Sequence, residues 1–196
     1  MSLFFRIIFI QVLIWVCFYI ALHTLTLIQV NRGMTPNNQW LMNIHMVTET
    51  VLLYTAVFFI KRDFILHLSV GISLVIFIAV VSLQFINNGI EMYMHHADIT
   101  ECITITILFI QLIFFYFNKT KWSRSPELII SLGLLLYFGG SVPYISMMHY
   151  LQEVNPQLNH LLFDFISNVL ANVRYILTGF SFWLIYRNAQ HVKQNG

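Results

Sequence analysis

Six long apolar segments dominate this sequence and restrict the chain to a membrane-spanning fold. Each reaches the roughly 20 residues that a helix needs to cross about 30 Å of hydrocarbon. Transmembrane β-strands would appear as alternating segments of about ten residues, and the sequence has no such pattern. We therefore predict an all-α, polytopic membrane helix bundle of six transmembrane helices in a single integral membrane domain, 1–196. The predicted spans are Leu3–Ile28, Gln39–Ile60, Phe64–Ile86, Ala97–Phe117, Glu127–Met148 and Leu161–Tyr186.

The composition supports a membrane protein and excludes several functional classes. Hydrophobic residues make up 58% of the chain and charged residues only 9%, whereas an average soluble domain has about 25% charged residues. The chain has no glycine-rich phosphate loop and no pattern of a serine hydrolase. Its basic residues form short clusters rather than an extended patch, so we expect no nucleic acid partner. The lipid bilayer is the partner that the composition does predict.

The positions of lysine and arginine predict the orientation. Cytoplasmic loops carry an excess of these residues, and here one side of the predicted bundle has almost all of them while the other has only Arg32. We therefore expect a multipass membrane protein with both termini in the cytoplasm. The basic residues on the predicted cytoplasmic side are Arg6, Lys61, Arg62, Lys119, Lys121, Arg124, Arg187 and Lys193.

Glu49 and Arg174 are ionisable residues inside predicted spans, where a charge is costly and usually faces the bundle interior. Glu49 lies nine residues after Trp40, or about 14 Å along a helix, and Arg174 lies fourteen residues after His160, or about 21 Å. The two residues are thus expected at similar depth. They would form a structural ion pair between the second and sixth helices, or else a gate or a site for an anion or a proton.

Histidines and carboxylates recur in the predicted outer half of the bundle. His45 and Glu49, like His160 and Asp164, are four residues apart and share a helix face, while Glu101 follows His96 by five residues. We expect these groups to line a common outward-opening space. Their side chains are metal ligands, but the chain has no His-Glu-x-x-His motif and no cysteine cluster. A metal site, haem ligation and purely interfacial polar groups stay open, and the residues name no cofactor.

The last two spans carry further polar or conformationally special residues. Asp164, Asn168 and Asn172 form a stripe at every fourth position, and with Arg174 they predict a wide polar arc. Such an arc would place the sixth span at the centre of the bundle, where the asparagines bond neighbouring helices or line a ligand site. The run Gly139–Pro143 in the fifth span predicts a close helix contact, a kink or a hinge.

A resemblance to a known family comes from the runs Asn168–Leu177 and Gly179–Leu184, together with Leu134–Gly140 and the mid-helix residues Glu49 and Glu101. These runs resemble the multi-helix membrane domains that precede some bacterial histidine kinases. The resemblance implies an input domain of the bacterial cytoplasmic (inner) membrane, here as a stand-alone protein. The sequence has no dimerisation helix and no ATP-binding core, so we expect no kinase activity.

Three function classes follow. The first is a non-enzymatic small-molecule sensor, or a partner subunit of a signalling or membrane complex. The second is a small transporter or channel with a midplane polar site, because the spans can be grouped into three helical hairpins and transporters are often built from repeats. The third is a lipid-active membrane enzyme, supported only by the histidine and carboxylate groups. The candidate ligand-binding residues are Glu49, Glu101, Asn168, Asn172 and Arg174, and the candidate metal ligands are His45, His96, His160 and Asp164.

Overall fold

The computed structural model describes residues 2–35, 37–60, 63–117 and 125–194, and it describes the side chains of all of these except residues 116, 117 and 191–194. Five of the basic residues used to predict the orientation lie outside these ranges, as does Trp122. They are Lys61, Arg62, Lys119, Lys121 and Arg124.

The described residues form helices and contain no strand, which confirms the all-α prediction. Six helical segments are long and apolar enough to cross a membrane. The first five are single α-helices, and the sixth is subdivided. The α-helices are α1 (Leu3–Asn31), α2 (Gln39–Ile60), α3 (Phe64–Asn88), α4 (His95–Phe117), α5 (Pro126–Val154), α6 (Pro156–Asp164) and α7 (Ala171–Gln194).

A π-helical segment, Phe165–Leu170, joins α6 to α7. The predicted sixth span therefore continues as one helical run from Pro156 to Gln194. Within it, Phe165–Leu170 has the hydrogen-bond pattern of a π-helix instead of an α-helix. A π-helical turn accommodates one more residue than an α-helical turn. Every residue after the segment is consequently rotated relative to its position in a continuous α-helix.

Several helices are longer than the apolar segments that predict them, and side-chain caps mark the starts of three helices. The side chains of Asp63, Ser125 and Asn155 accept hydrogen bonds from the backbone N–H groups of Leu66, Leu128 and Leu158. Such caps satisfy N–H groups that the first helical turn leaves without partners. Asn155 alone separates α5 from α6, so the segment between the predicted fifth and sixth spans, 149–160, is almost entirely helical.

Two compact units make up the chain, Met1–Glu101 and Cys102–Gly196, with their boundary inside α4. We refer to them as unit 1 and unit 2. The predicted single membrane domain stays a prediction.

Unit 1 is built on the packing of α1 along α2, and α3 also packs against α2. The first three turns of α1 bury Phe4, Phe5, Ile7 and Ile8. The ring of Tyr54 on α2 meets that of Phe77 on α3 edge to face, with 6.3 Å between centroids. The N-terminal third of α1 is thus anchored by close packing, whereas its C-terminal half is largely exposed.

Asn43 fixes the outer loop between α3 and α4 onto α2. Its amide nitrogen donates to the backbone carbonyls of Ile90 and Met92, at 2.8 Å each. Its amide oxygen accepts from the backbone N–H of Met94 at 3.2 Å. Asn43 is only 2% exposed, so this one side chain satisfies three backbone groups of the loop in a buried environment.

Unit 2 is built on the packing of α5 along α7. A Cβ atom added at Gly133 would lie 3.2 Å from the Cβ of Leu177 and 3.4 Å from the carbonyl oxygen of Arg174, so the glycine lets the two backbones approach closely. Gly140 has a similar role beside the end of the Leu170 side chain. These positions agree with the close helix contact expected of Gly139–Pro143, and α5 runs through Pro143 as one helix.

Large apolar side chains cover much of the outer surface of the helices. On α3, Phe64 is 80% exposed and Ile86 is 77% exposed. Such a surface is stable in hydrocarbon and unstable in water. The protein is a multipass membrane protein whose surroundings include the lipid bilayer.

Candidate functional site

Glu49 lies at the middle of α2, as the eleventh of its 22 residues. Its Oε1 accepts a hydrogen bond of 2.7 Å from the amide nitrogen of Gln11 on α1. The two residues are 8% and 3% exposed. Gln11 was not among the predicted site residues, because a single amide in a long apolar run gives no sign of which helix it faces. The bond connects α1 and α2 through a buried carboxylate.

His45 lies one turn from Glu49 toward the N-terminal end of α2. Its Nδ1 is 3.8 Å from the second carboxylate oxygen of Glu49, and its ring meets that of Phe18 on α1 edge to face, with 5.3 Å between centroids. The predicted sharing of one helix face by His45 and Glu49 is confirmed. Gln11, His45 and Glu49 therefore form a polar cluster between α1 and α2, which we call the Glu49 cluster.

The Glu49 cluster has the chemistry to respond to a cation or a proton. A carboxylate accepts hydrogen bonds and attracts cations, and an imidazole changes its charge in the range of physiological pH. Both oxygens of Glu49 are oriented, one by Gln11 and the other by His45. A change of charge at either group would alter the bond between α1 and α2.

Arg174 is the buried cation of unit 2, with 3% of its surface exposed. Its guanidinium carbon lies 4.9 Å from the ring centre of Tyr137, 5.3 Å from that of Phe138 and 5.4 Å from that of Tyr175. Aromatic faces attract a cation within about 6 Å. The three rings were not predicted, because aromatic residues are common in spans and their direction cannot be inferred from spacing alone.

The predicted pairing of Glu49 with Arg174 joins residues of different units and stays a prediction. Within their own units, Glu49 is bound to Gln11 and Arg174 is surrounded by aromatic rings. Each of the two ionisable residues is buried, as their positions inside spans indicate.

The predicted metal ligands are divided between the two units, with His45 and His96 in unit 1 and His160 and Asp164 in unit 2. His45 is beside Glu49, while His160 and Asp164 pair with each other at 2.9 Å on the exposed surface of α6. His96 is exposed near the start of α4, and Glu101 on the same helix is buried. Among the described residues, no group of three or more His, Cys, Asp or Glu side chains is placed to hold a metal ion. The outward-opening space common to these groups stays a prediction.

An open depression of about 400 Å³ surrounds His160 and Asp164 and is also lined by Gln157 and Leu161. All four residues lie on α6, in unit 2. The depression is shallow and its polar side chains are exposed, with 76% of the His160 side chain accessible. The depression exposes an ionisable pair at the protein surface and does not enclose a ligand.

The polar stripe of the last span is exposed, contrary to our expectation of a buried arc that includes Arg174. Asn168 and Asn172 are exposed, as is Asp164. In a continuous α-helix, Arg174 would lie about 80° from Asp164. The π-helical segment takes up one residue, so the angle becomes about 180°. Arg174 therefore points to the side of the helix opposite Asp164, which explains why one is buried and the other exposed.

The side chains of Asn172 and of the neighbouring Ser167 bond locally. The amide nitrogen of Asn172 donates to the backbone carbonyl of Asn168, and the hydroxyl of Ser167 donates to that of Phe163. Both acceptors lie within or next to the π-helical segment, where widened turns leave carbonyls accessible to side chains.

The chain matches no known family model, and no characterised protein or solved structure is significantly similar to it.

Proposed function

We propose that the protein is a non-enzymatic membrane sensor, or the sensing subunit of a signalling complex, and that its Glu49 cluster responds to a small cationic ligand or to protons from the outer side. One observation carries this proposal: the buried Gln11–Glu49 hydrogen bond joins two spans at mid-membrane, with His45 on its outer side. The resemblance to kinase input domains favours the same class.

The arrangement of α1 suggests how such a signal would reach the cytoplasm. Gln11 lies directly after the buried first turns of α1, which contain Phe4, Phe5, Ile7 and Ile8. These side chains are packed closely, and close-packed cores transmit small displacements rather than absorbing them. A change in the bond to Glu49 would therefore shift the cytoplasmic end of α1.

The proposal includes an orientation in the bacterial inner membrane, with both termini in the cytoplasm. The support is the distribution of lysine and arginine along the sequence. On the described residues, Trp40 and Trp183 are both partly exposed at opposite ends of spans, as expected of residues at the two interfaces.

Thiol labelling tests this orientation. In a chain with Cys17 and Cys102 replaced by alanine, cysteines at Asn37 and Glu153 should react with a membrane-impermeant maleimide in intact spheroplasts. Both positions are exposed, and Glu153 is preferable to Asn155 because Asn155 caps α6. A cysteine at Ser2 should react only after the membrane is permeabilised, and the reverse pattern would contradict the orientation.

The sensing mechanism predicts a movement of α1 against α2. Spin labels at Leu3 and Phe59, both exposed and near the cytoplasmic ends of their helices, would report it in lipid nanodiscs. In this proposal, lowering the pH from 8 to 5 adds a proton to the Glu49 cluster and weakens the bond between Glu49 and Gln11. We expect the distance between the labels to shift by about 1–2 Å, which is typical of switching helices.

Three variants make that measurement specific. Gln11→Leu and Glu49→Gln should abolish the shift, because each removes a member of the Glu49 cluster. His23→Ala should leave the shift unchanged, since His23 lies on α1 but contacts the ring of Tyr19. A shift that survives in Glu49→Gln, or its absence in the unmodified chain, would contradict the proposal.

A transporter or channel is the second candidate. The specific observation in its favour is that one span carries both a buried arginine and a non-α segment, and interrupted helices frame substrate sites in transporters. Flux of chloride or protons into vesicles that contain the purified chain, lost in Arg174→Gln, would replace the sensor proposal. The sensor proposal expects no flux.

A further inference from the structure

One face of the last span combines polar and apolar residues and is exposed along its whole length. Its members are spaced by four, four, three and four positions, so they lie on one side of the helix. We call this face the last-span seam. It consists of Asn168, Asn172, Ile176, Gly179 and Trp183, all of them exposed.

The two asparagines of the seam lie deep in the membrane. Trp183 is followed by Arg187 and fits the inner interface. Asn172 lies eleven residues before Trp183, and Asn168 lies fifteen residues before it. These separations correspond to about 16 Å and 22 Å. Both amides therefore face the hydrocarbon core, where a polar group without a partner is costly.

The hydrogen bonds available within the chain do not satisfy these amides. Among the residues that the structure describes, the Asn168 side chain has no hydrogen-bond partner, and the Asn172 side chain donates once, to the carbonyl of Asn168. The complete side-chain amide of Asn168 and the amide oxygen of Asn172 are thus available to another molecule. Lipid tails offer neither donors nor acceptors.

The shape of the seam suits a second helix. A Cβ atom added at Gly179 would have no other atom within 4 Å, so the backbone is open to close approach there. Ile176 is 68% exposed and Trp183 is 49% exposed, and they flank this gap as projecting side chains. Small residues between larger ones are typical of helix pairs in membranes.

We propose that the last-span seam binds the same seam of a second copy of this chain. An isologous interface must be complementary to itself. An asparagine amide meets this condition because it both donates and accepts, so identical residues can bond each other across a two-fold axis. The seam contains no charged residue, and like charges therefore do not oppose the pairing. The proposal is independent of the sensing function.

Cross-linking in native membranes tests the contact without altering the asparagines. In the chain that lacks Cys17 and Cys102, Ile176→Cys should form a disulfide-linked dimer on mild oxidation. Val75→Cys is the matched control, because Val75 is also 68% exposed and lies near the middle of α3. We expect little dimer from the control. Equal cross-linking at both positions, or cross-linking through Val75 alone, would overturn the proposal.

Energy transfer between differently labelled copies in vesicles measures the affinity. Replacing both Asn168 and Asn172 with leucine should weaken self-association by about tenfold, while the helical circular dichroism stays unchanged. Ser82→Ala is the control, because it removes an exposed polar group on α3. It should leave the self-association unchanged. A chain that is monomeric at every protein-to-lipid ratio, or a dimer insensitive to the double replacement, would overturn the proposal. So would a different protein that binds the seam while the chain stays monomeric.

Discussion

Replacing Arg174 with glutamine should lower the free energy of unfolding by about 2–4 kcal/mol, because three aromatic rings within 5.4 Å lose the cation that they surround and desolvated cation–π contacts contribute about 0.5–2 kcal/mol each. Arg174→Lys should lower the free energy of unfolding by less, since lysine keeps the charge but not the planar stacking of the guanidinium. Thermal unfolding in nanodiscs would rank the two variants.

Arg187 provides the matched control for this prediction. Its guanidinium lies 5.5 Å from the ring of Trp183, but the residue is exposed. An exposed cation–π contact contributes at most about 1 kcal/mol. Arg187→Gln should therefore change the stability little, and equal losses at the two arginines would show that burial of Arg174 has no energetic importance.

The same variants extend to the predicted pairing of Glu49 with Arg174. If the two residues interact, the double variant Glu49→Gln, Arg174→Gln should be less destabilised than the sum of the single variants, because a lone buried charge is worse than none. Additive losses would indicate that the two buried groups are energetically independent.

Gly133→Val should destabilise unit 2 by about 1–3 kcal/mol, the usual cost of overpacking. A Cβ at this position would already press against the Cβ of Leu177 and the backbone oxygen of Arg174. Two further methyl groups require α5 and α7 to separate. Gly133→Ala should have a much smaller effect, because the single methyl group needs a displacement of only a few tenths of an ångström.

Gly71→Val is the control for the intrinsic effect of valine in a helix. Gly71 lies within α3, and a Cβ added there would meet nothing within 4 Å. Its replacement should leave the unfolding temperature nearly unchanged. If Gly133→Val were equally harmless, the close approach of α5 to α7 would not contribute to stability.

The sequence was sufficient to predict the spans because crossing the membrane depends on length and apolar composition, which are local properties. The predicted limits of the second span, Gln39 and Ile60, are also those of α2. Differences arise where a polar side chain extends a helix beyond its apolar run. Asn155, for example, caps α6, which begins at Pro156, five residues before the predicted sixth span.

The partners of the buried polar residues were harder to predict. A soluble helix shows its buried side as an apolar stripe, whereas a span that is apolar on all sides does not. The bond from Gln11 to Glu49 and the rings around Arg174 therefore could not be inferred from spacing. The predicted direction of Arg174 was wrong for a different reason. The π-helical segment Phe165–Leu170 rotates every residue after it, and the sequence of this segment contains no recognised signal for a π-helix.

The three hydrogen bonds of Asn43 have a mechanical consequence. They attach the outer loop between α3 and α4 to α2 at a point six residues from Glu49. Tension applied to this loop would be borne by α2 rather than lost in a flexible connection. Such tension would reach Glu49, at the middle of α2, along a rigid helix.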